Sequence, residues 1–282
     1  MIQEGEIGRP AGSIKPSTTL LAGEELWVNA PDLAPPGPPP PLPLVVHEDD
    51  RLLVVSKPPG MLAHPAGLTF TYGLVGIARA ARPGHVVDLA HRLDRETSGI
   101  NVLTKDKEAN AFLKRAFFEK TPLKTYHAIV HGSPDWDERV IDGSIGHAPG
   151  SAIRIRRGIT ADGLSALTLV KVLKRMDRLT LVSAQPRTGR THQIRVHLES
   201  AGIPILGDKM YGQPDEVFLH HLDFGDGPLV RRATRFPRHA LHAAKLSIPH
   251  PDGGTLSIEA PLERDMAAIV DGAEPQWPDP EE

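Results

Sequence analysis

Eight of the thirteen residues from Pro31 to Pro43 are proline. Proline has no amide hydrogen and a fixed φ, so this run can enter neither a helix nor the middle of a sheet. The 282-residue chain is thereby divided. Residues 1–30 are too few to bury a core alone, whereas the part beginning at Leu44 is long enough to bury a sizeable one. Residues 31–43 read as a linker. It is either a semi-rigid polyproline II spacer, extending about 3.1 Å per residue, or an arm laid along the larger part.

Behind the linker, short apolar runs are punctuated by turn residues. Residues 44–47 and 52–55 read as strands joined through Glu48-Asp49-Asp50-Arg51, and 166–173 with 179–184 as a hairpin about Met176-Asp177. A further strand is expected at 126–130. The clearest helix covers 105–120, where Ala109, Phe112, Leu113, Ala116 and Phe117 recur at helical spacing behind Asp106 as a cap; both phenylalanines are expected in the core. A second helix, at 191–201, stops at Gly202 and Pro204. Strands mixed with a few helices, without a regular strand-helix-strand rhythm, predict an α+β domain over residues 44–265. Its sheet is mixed and mostly antiparallel, with flanking helices, and residues 266–282 follow as an acidic tail.

With no cysteine, disulfides, thiolate metal sites and a cysteine nucleophile are excluded. No apolar run approaches the ~20 residues of a membrane helix. The opening Met1-Ile2-Gln3-Glu4-Gly5 has neither the basic start nor the apolar stretch of an export signal, so a cytoplasmic protein is expected. The net charge is only −3, but its distribution is uneven: residues 151–210 hold eleven Lys and Arg against four Asp and Glu. Arg231, Arg232, Arg235 and Arg238 form a second cluster. A basic surface suited to phosphates is expected.

The densest chemistry lies in His91-Arg92-Leu93-Asp94-Arg95-Glu96-Thr97-Ser98-Gly99, where one carboxylate stands between two guanidinium groups. In an extended segment Arg92 and Asp94 share a face and Leu93 points the other way, into the interior. Glu96 to Gly99 can turn on their own backbone before an apolar strand resumes at Ile100. A second segment, Thr188-Gly189-Arg190-Thr191-His192-Gln193-Ile194-Arg195, opens the helix at 191–201. There His192, Arg195 and Glu199 fall on one face, while Ile194, Leu198 and Ala201 fall on another. His192 and His197 are five apart and no Glu follows His192, so they do not form a zincin-like metal site; His220-His221 and His239 with His242 read as structural or RNA-facing.

These segments resemble the HRLDxxTSG and GRTHQIR motifs of the RluA-type pseudouridine synthases. The resemblance extends over residues 44 to about 265. Lys57-Pro58 through His64-Pro65 is similar to an early KP.G...HP motif, and Lys124-Thr125-Tyr126 to a K.Y strand. Ile203 to Gly212 is similar to G.P..GD..YG, and Arg238 to Ala243 to R.ALHA. Ahead of the linker, residues 5–28 resemble the trailing half of an S4 RNA-binding domain, a truncated S4-like segment with a Lys15-Pro16-Ser17 turn.

The resemblance implies an enzyme that isomerises uridine within RNA, with ribosomal RNA favoured over transfer RNA, no metal and no organic cofactor, acting as a monomer. It implies that Asp94 is the catalytic carboxylate, as nucleophile or as base on the sugar. Arg195 is its salt-bridge partner, and Tyr126 stacks on the uracil and helps remove the C5 proton. Arg92 fills the space of the extruded base, and Arg190 and His192 contact RNA. Two other readings of the residues compete. A glycoside hydrolase needs a second catalytic carboxylate, for which Glu96 is the nearby candidate. A non-catalytic RNA-binding or assembly factor would not need Asp94 at all.

Overall fold

The computed structural model describes residues 7–9, 12–13, 23, 25, 27–28, 39–64 and 73–278. The chain forms two compact units, residues 1–39 and 40–282, so the boundary falls inside the proline run. In the first unit β1 (Ile7–Arg9) pairs antiparallel with β2 (Gly12–Ser13) and β3 (Trp27–Val28). The Lys15-Pro16-Ser17 turn and residues 31–38 lie outside the described residues. The end of the proline run belongs to the second unit as an arm: Leu42 packs on the cluster containing Leu53, Val55 and Leu74.

The second unit runs β4 (Val45–Glu48), β5 (Leu52–Lys57), α1 (Leu74–Ala81), β6 (Asp88–Leu89), β7 (Ser98–Thr104), α2 (Lys107–Phe118), β8 (Leu123–His131) and β9 (Glu138–Asp142). It continues through β10 (Ile145–His147), β11 (Arg157–Ile159), β12 (Leu167–Arg175), β13 (Leu179–Pro186), α3 (Gln193–Ser200), α4 (Asp215–Phe224) and α5 (Pro228–Thr234). It closes with β14 (Leu241–Pro249), β15 (Thr255–Glu259) and α6 (Arg264–Val270). Ten strands form one sheet in the order β4-β5-β7-β14-β8-β13-β12-β9, with β6 on β7 and β15 on β14. Every pairing is antiparallel except β7 with β14. This is the expected mixed, mostly antiparallel α+β architecture.

The Leu52-Leu53-Val54-Val55 run is apolar on both faces because both are covered. Leu52 and Val54 meet Ile100, Val102 and Leu113 of α2, whereas Leu53 and Val55 meet Leu74 and Val75 of α1. Helix α2 starts where expected, with the Asp106 side chain accepting from the Ala109 amide at 2.8 Å. Of the two phenylalanines expected in the core, Phe112 is exposed, while Phe117 packs on the core and stacks on His91.

The parallel seam is narrow, with His242 opposite Ser98 and Ala243 opposite Gly99. Gly99 has φ +100, and a Cβ there would lie 2.3 Å from the carbonyl oxygen of Ala243. Only glycine fits. Gly99→Ala is expected to destabilise the unit by about 3 kcal/mol through overpacking and positive φ together. Urea unfolding measures this, and a change under about 0.5 kcal/mol would contradict so tight a seam.

The segment expected to be an acidic tail from residue 266 is instead helical at its start. In α6 Met266 and Ile269 are buried against the same cluster as Ile129, Val130 and Leu241, each burial contributing about 1.5–3 kcal/mol. The apolar run 266–270 is short and flanked by Arg264, Asp265 and Asp271, which gives it little helical periodicity in the sequence. Asp279, Glu281 and Glu282 lie outside the described residues. None of the described helices is long and apolar enough to cross a membrane.

Candidate active site

Leu93 is buried among Ala90, Ile100 and Val102, which turns Arg92 and Asp94 outward into a cleft of about 580 Å³. The turn that follows is held residue by residue. The Thr97 amide donates to the Asp94 carbonyl at 3.2 Å, and the carbonyl of Arg95 accepts from the Gly60 amide and from buried Lys57 Nζ at 3.1 Å. Lys57 also donates to the carbonyls of Pro58 and Met61. Burial, aided by the charge of Arg238, lowers its ammonium pKa to about 7 against the pull of Asp94 and Glu263. Thr97 Oγ1 is 2.8 Å from His239 Nε2, and Ser98 Oγ 3.0 Å from His242 Nδ1. Asp94 therefore stands on a pinned loop at the head of the seam.

Arg195 reaches it from α3. Its Nη1 donates to Asp94 Oδ2 at 3.2 Å, while Nε and Nη2 bind both oxygens of Asp208 at 2.6 and 2.8 Å. The guanidinium lies over the Tyr211 ring at 4.8 Å. Burial opposes the charge on Arg195, but the two carboxylates outweigh it and raise its pKa. Burial likewise opposes the charge on Asp94, and Arg195 outweighs it, so Asp94 is held below the usual carboxylate range and is ionised at neutral pH. The expected pairing of Arg195 with Asp94 is present; its stronger partner, Asp208, was missed. Glu199, one turn after Arg195, binds Arg156 at 2.9 Å and the Gly212 amide.

The helix also starts later than expected. His192 precedes α3 in the left-handed region, φ 58, so it does not share a helical face with Arg195. Its Nδ1 lies 2.9 Å from Tyr211 Oη. Burial, then the charge of Arg195, lowers its pKa to about 4 despite Asp94 and Asp208, leaving the ring neutral.

All six residues singled out from the sequence line the one cleft: Asp94, Tyr126, Arg195, Arg92, Arg190 and His192. Arg92 is exposed and Arg190 is half-buried, the latter fixed by a bond from Nε to the Ser165 carbonyl. Tyr126 comes from β8 and packs between the two main core clusters. Burial, then the charge of Asp94, raises its pKa, so it is a neutral phenol at neutral pH. Lys124, two residues before it, also faces the cleft. Among the described lining residues Asp94 is the only acid. Glu96, the candidate second carboxylate of a hydrolase, does not line the cleft. Lys209 Nζ binds its Oε1 at 2.6 Å and the His239 amide its Oε2 at 3.0 Å.

One ionised carboxylate oriented by a buried guanidinium, a neutral phenol beside it, and a cationic rim define a site for a one-carboxylate reaction on an anionic polymer. The chain belongs to the RNA pseudouridylate synthase family, whose model matches residues 51–200. It is 33% identical to the uncharacterized RNA pseudouridine synthase YlyB of Bacillus subtilis, over 96% of this chain and 86% of that one. It is 34% identical to ribosomal large subunit pseudouridine synthase D of Neisseria meningitidis serogroup B, over 95% and 72%. Among solved structures, human RNA pseudouridylate synthase domain containing 4 superposes with a TM-score of 0.62 at 28% identity, covering 81% of this chain and 92% of that one.

Proposed function

We propose that the protein converts uridine in large-subunit ribosomal RNA to pseudouridine, with Asp94 as the catalytic carboxylate. The observation that carries this reading is the Asp94–Arg195–Asp208 chain, which keeps a carboxylate ionised and aimed into a cationic cleft. In the reaction the C1′–N1 bond breaks, the uracil turns, C1′ bonds to C5, and the C5 proton leaves to solvent while N1 takes one up. Asp94 acts as nucleophile or as base on the sugar. Tyr126, a neutral phenol, stacks on the uracil and keeps it in place while it is detached. Extruding the nucleotide costs a few kcal/mol of unstacking, and the exposed Arg92 offsets part of it by occupying the vacated space. Arg190, His192 and Lys124 hold the flanking RNA.

The ribosomal target is supported by likeness, over nearly the whole chain, to relatives that carry the name of large-subunit synthases. A cytoplasmic location is consistent with such a target. Pseudouridine mapping of all stable RNA from cells with and without the gene tests this. Loss of modification at large-subunit positions is expected; loss confined to transfer RNA would redirect the target.

The neutral state of His192 has a measurable consequence. A free imidazole titrates near 6.5, so an ionising His192 would bend the kcat/KM profile between about pH 5 and 7. With its pKa lowered to about 4, no such bend is expected from it, and His192→Gln is expected to raise KM without changing the profile's shape. A bend near pH 6.5 that disappears in the variant would contradict the assigned state.

A further inference from the structure

The family model matches residues 51–200, and the catalytic loop is braced from behind by residues later in the chain. We infer that segment 264–277 positions the catalytic loop through Glu96; the inference rests on Asp94 being the catalytic carboxylate.

Two sets of contacts converge on Glu96. In the first, Asp265 receives Arg238 Nε at 2.7 Å and Nη2 at 2.8 Å. This bidentate pair fixes the guanidinium plane, and the remaining Nη1 donates to the carbonyls of Glu96, His239 and Leu241. In the second, the Trp277 ring lies 5.5 Å from Lys209 Nζ and 5.3 Å from the guanidinium of Arg231. Lys209 is 4% exposed and binds Glu96 Oε1 at 2.6 Å. The indole attracts the ammonium through its π face and shields the ion pair from water, strengthening it.

Hydrogen bonding does not explain where Trp277 sits, because its buried Nε1 has no partner among the described residues. The two cations do. A segment that only filled the core would need Met266 and Ile269, which carry no polar link to the loop. Asp265 and Trp277 instead hold the groups that hold the main chain and side chain of Glu96. Glu96 stands two residues from Asp94, within the turn closed by the Thr97 amide on the Asp94 carbonyl. Loosening it therefore displaces the carboxylate.

The test uses the full chain with Trp277→Ala, Asp265→Asn, the conservative Trp277→Phe, and Ile269→Val as a destabilised control. Tritium release from uridine C5 in ribosomal RNA gives kcat and KM, and hydrogen exchange reports the amides of residues 94–98. A misplacement of about 1 Å costs up to ~100-fold, so kcat is expected to fall about tenfold in Trp277→Ala and Asp265→Asn, with KM within about twofold of wild type. Exchange at 94–98 is expected to accelerate in both. Trp277→Phe restores both readouts, and Ile269→Val lowers Tm without moving either. Unchanged kcat and exchange in the first two variants, or both effects reproduced by Ile269→Val, would overturn the inference. A wild type that releases no tritium would sink the assigned activity instead, while the exchange data would still decide whether the segment braces the loop.

Discussion

Asp94→Asn is expected to lower turnover on the order of 10³-fold or more, within the range for losing a positioned catalytic base or nucleophile. Asparagine keeps the shape and can still accept the bond from Arg195, but it can neither attack a carbon nor take a proton at neutral pH. The fold is expected to tolerate the change. The Asp94 side chain is 38% exposed and makes one 3.2 Å contact to Arg195, whose charge Asp208 already meets with two shorter bonds. Removing Asp94 therefore does not strand a buried cation, and stability is expected to shift by less than about 1 kcal/mol. Single-turnover kinetics beside urea unfolding separate the two effects. A stability loss equal to that of Asp208→Asn, or activity within tenfold of wild type, would contradict the division of labour between the two aspartates.

Asp208→Asn is expected to behave in the opposite way, costing about 3–5 kcal/mol of stability, the range for removing one partner from a buried ion pair. The Asp208 side chain is fully buried. It accepts two bonds from Arg195 and one each from the amides of Met210 and Tyr211. An amide cannot supply the charge, and the buried guanidinium is then left with Asp94 alone, drawn toward the cleft. Activity falls as well, because Arg195 is no longer held from behind. The pH dependence follows from the direction of the shift. Burial raises the Asp208 carboxyl and Arg195 outweighs it, so its folded pKa lies below the ordinary aspartate value. Its contribution is fully present above the unfolded value near 3.9 and is lost as the pH falls through the folded one. The stability gap between wild type and variant is therefore expected to stay level from about pH 8 to 5 and to close only in stronger acid. A gap already closed at about pH 5 would mean that Asp208 is not depressed.

The architecture and the cleft were legible in the sequence to different depths. The Asp106 cap, the Met176-Asp177 hairpin and the doubly apolar 52–55 run are local signals, and each marks an element of the fold. The parallel seam is not local. The paired residues Ser98 of β7 and His242 of β14 lie 144 positions apart, and only Gly99, which a Cβ would drive into Ala243, bears the mark of that contact. Helix α3 misled the amphipathic reading because residues 193–198 are buried all round. A helix buried on every side that contains an arginine demands an acid from elsewhere. The nearest in sequence was Glu199, which Arg156 already holds; Asp208 lies in a loop without periodicity. The very short strands β6, β10 and β11 depend on tertiary pairing, and the apolar run of α6, residues 266–270, is too short for periodicity to mark it as a helix.

Isomerisation and cleavage of a uridine leave different products. The most direct measurement is to incubate the protein with large-subunit ribosomal RNA lacking its pseudouridines, digest the RNA to nucleosides, and separate the products by chromatography with mass detection. The expected product is a new nucleoside of uridine's mass whose base–sugar bond resists acid, formed by wild type and not by Asp94→Asn, with no free uracil. Free uracil and an abasic sugar would instead mark glycosidic cleavage, and an unchanged nucleoside profile with wild type would rule out uridine isomerisation in this RNA.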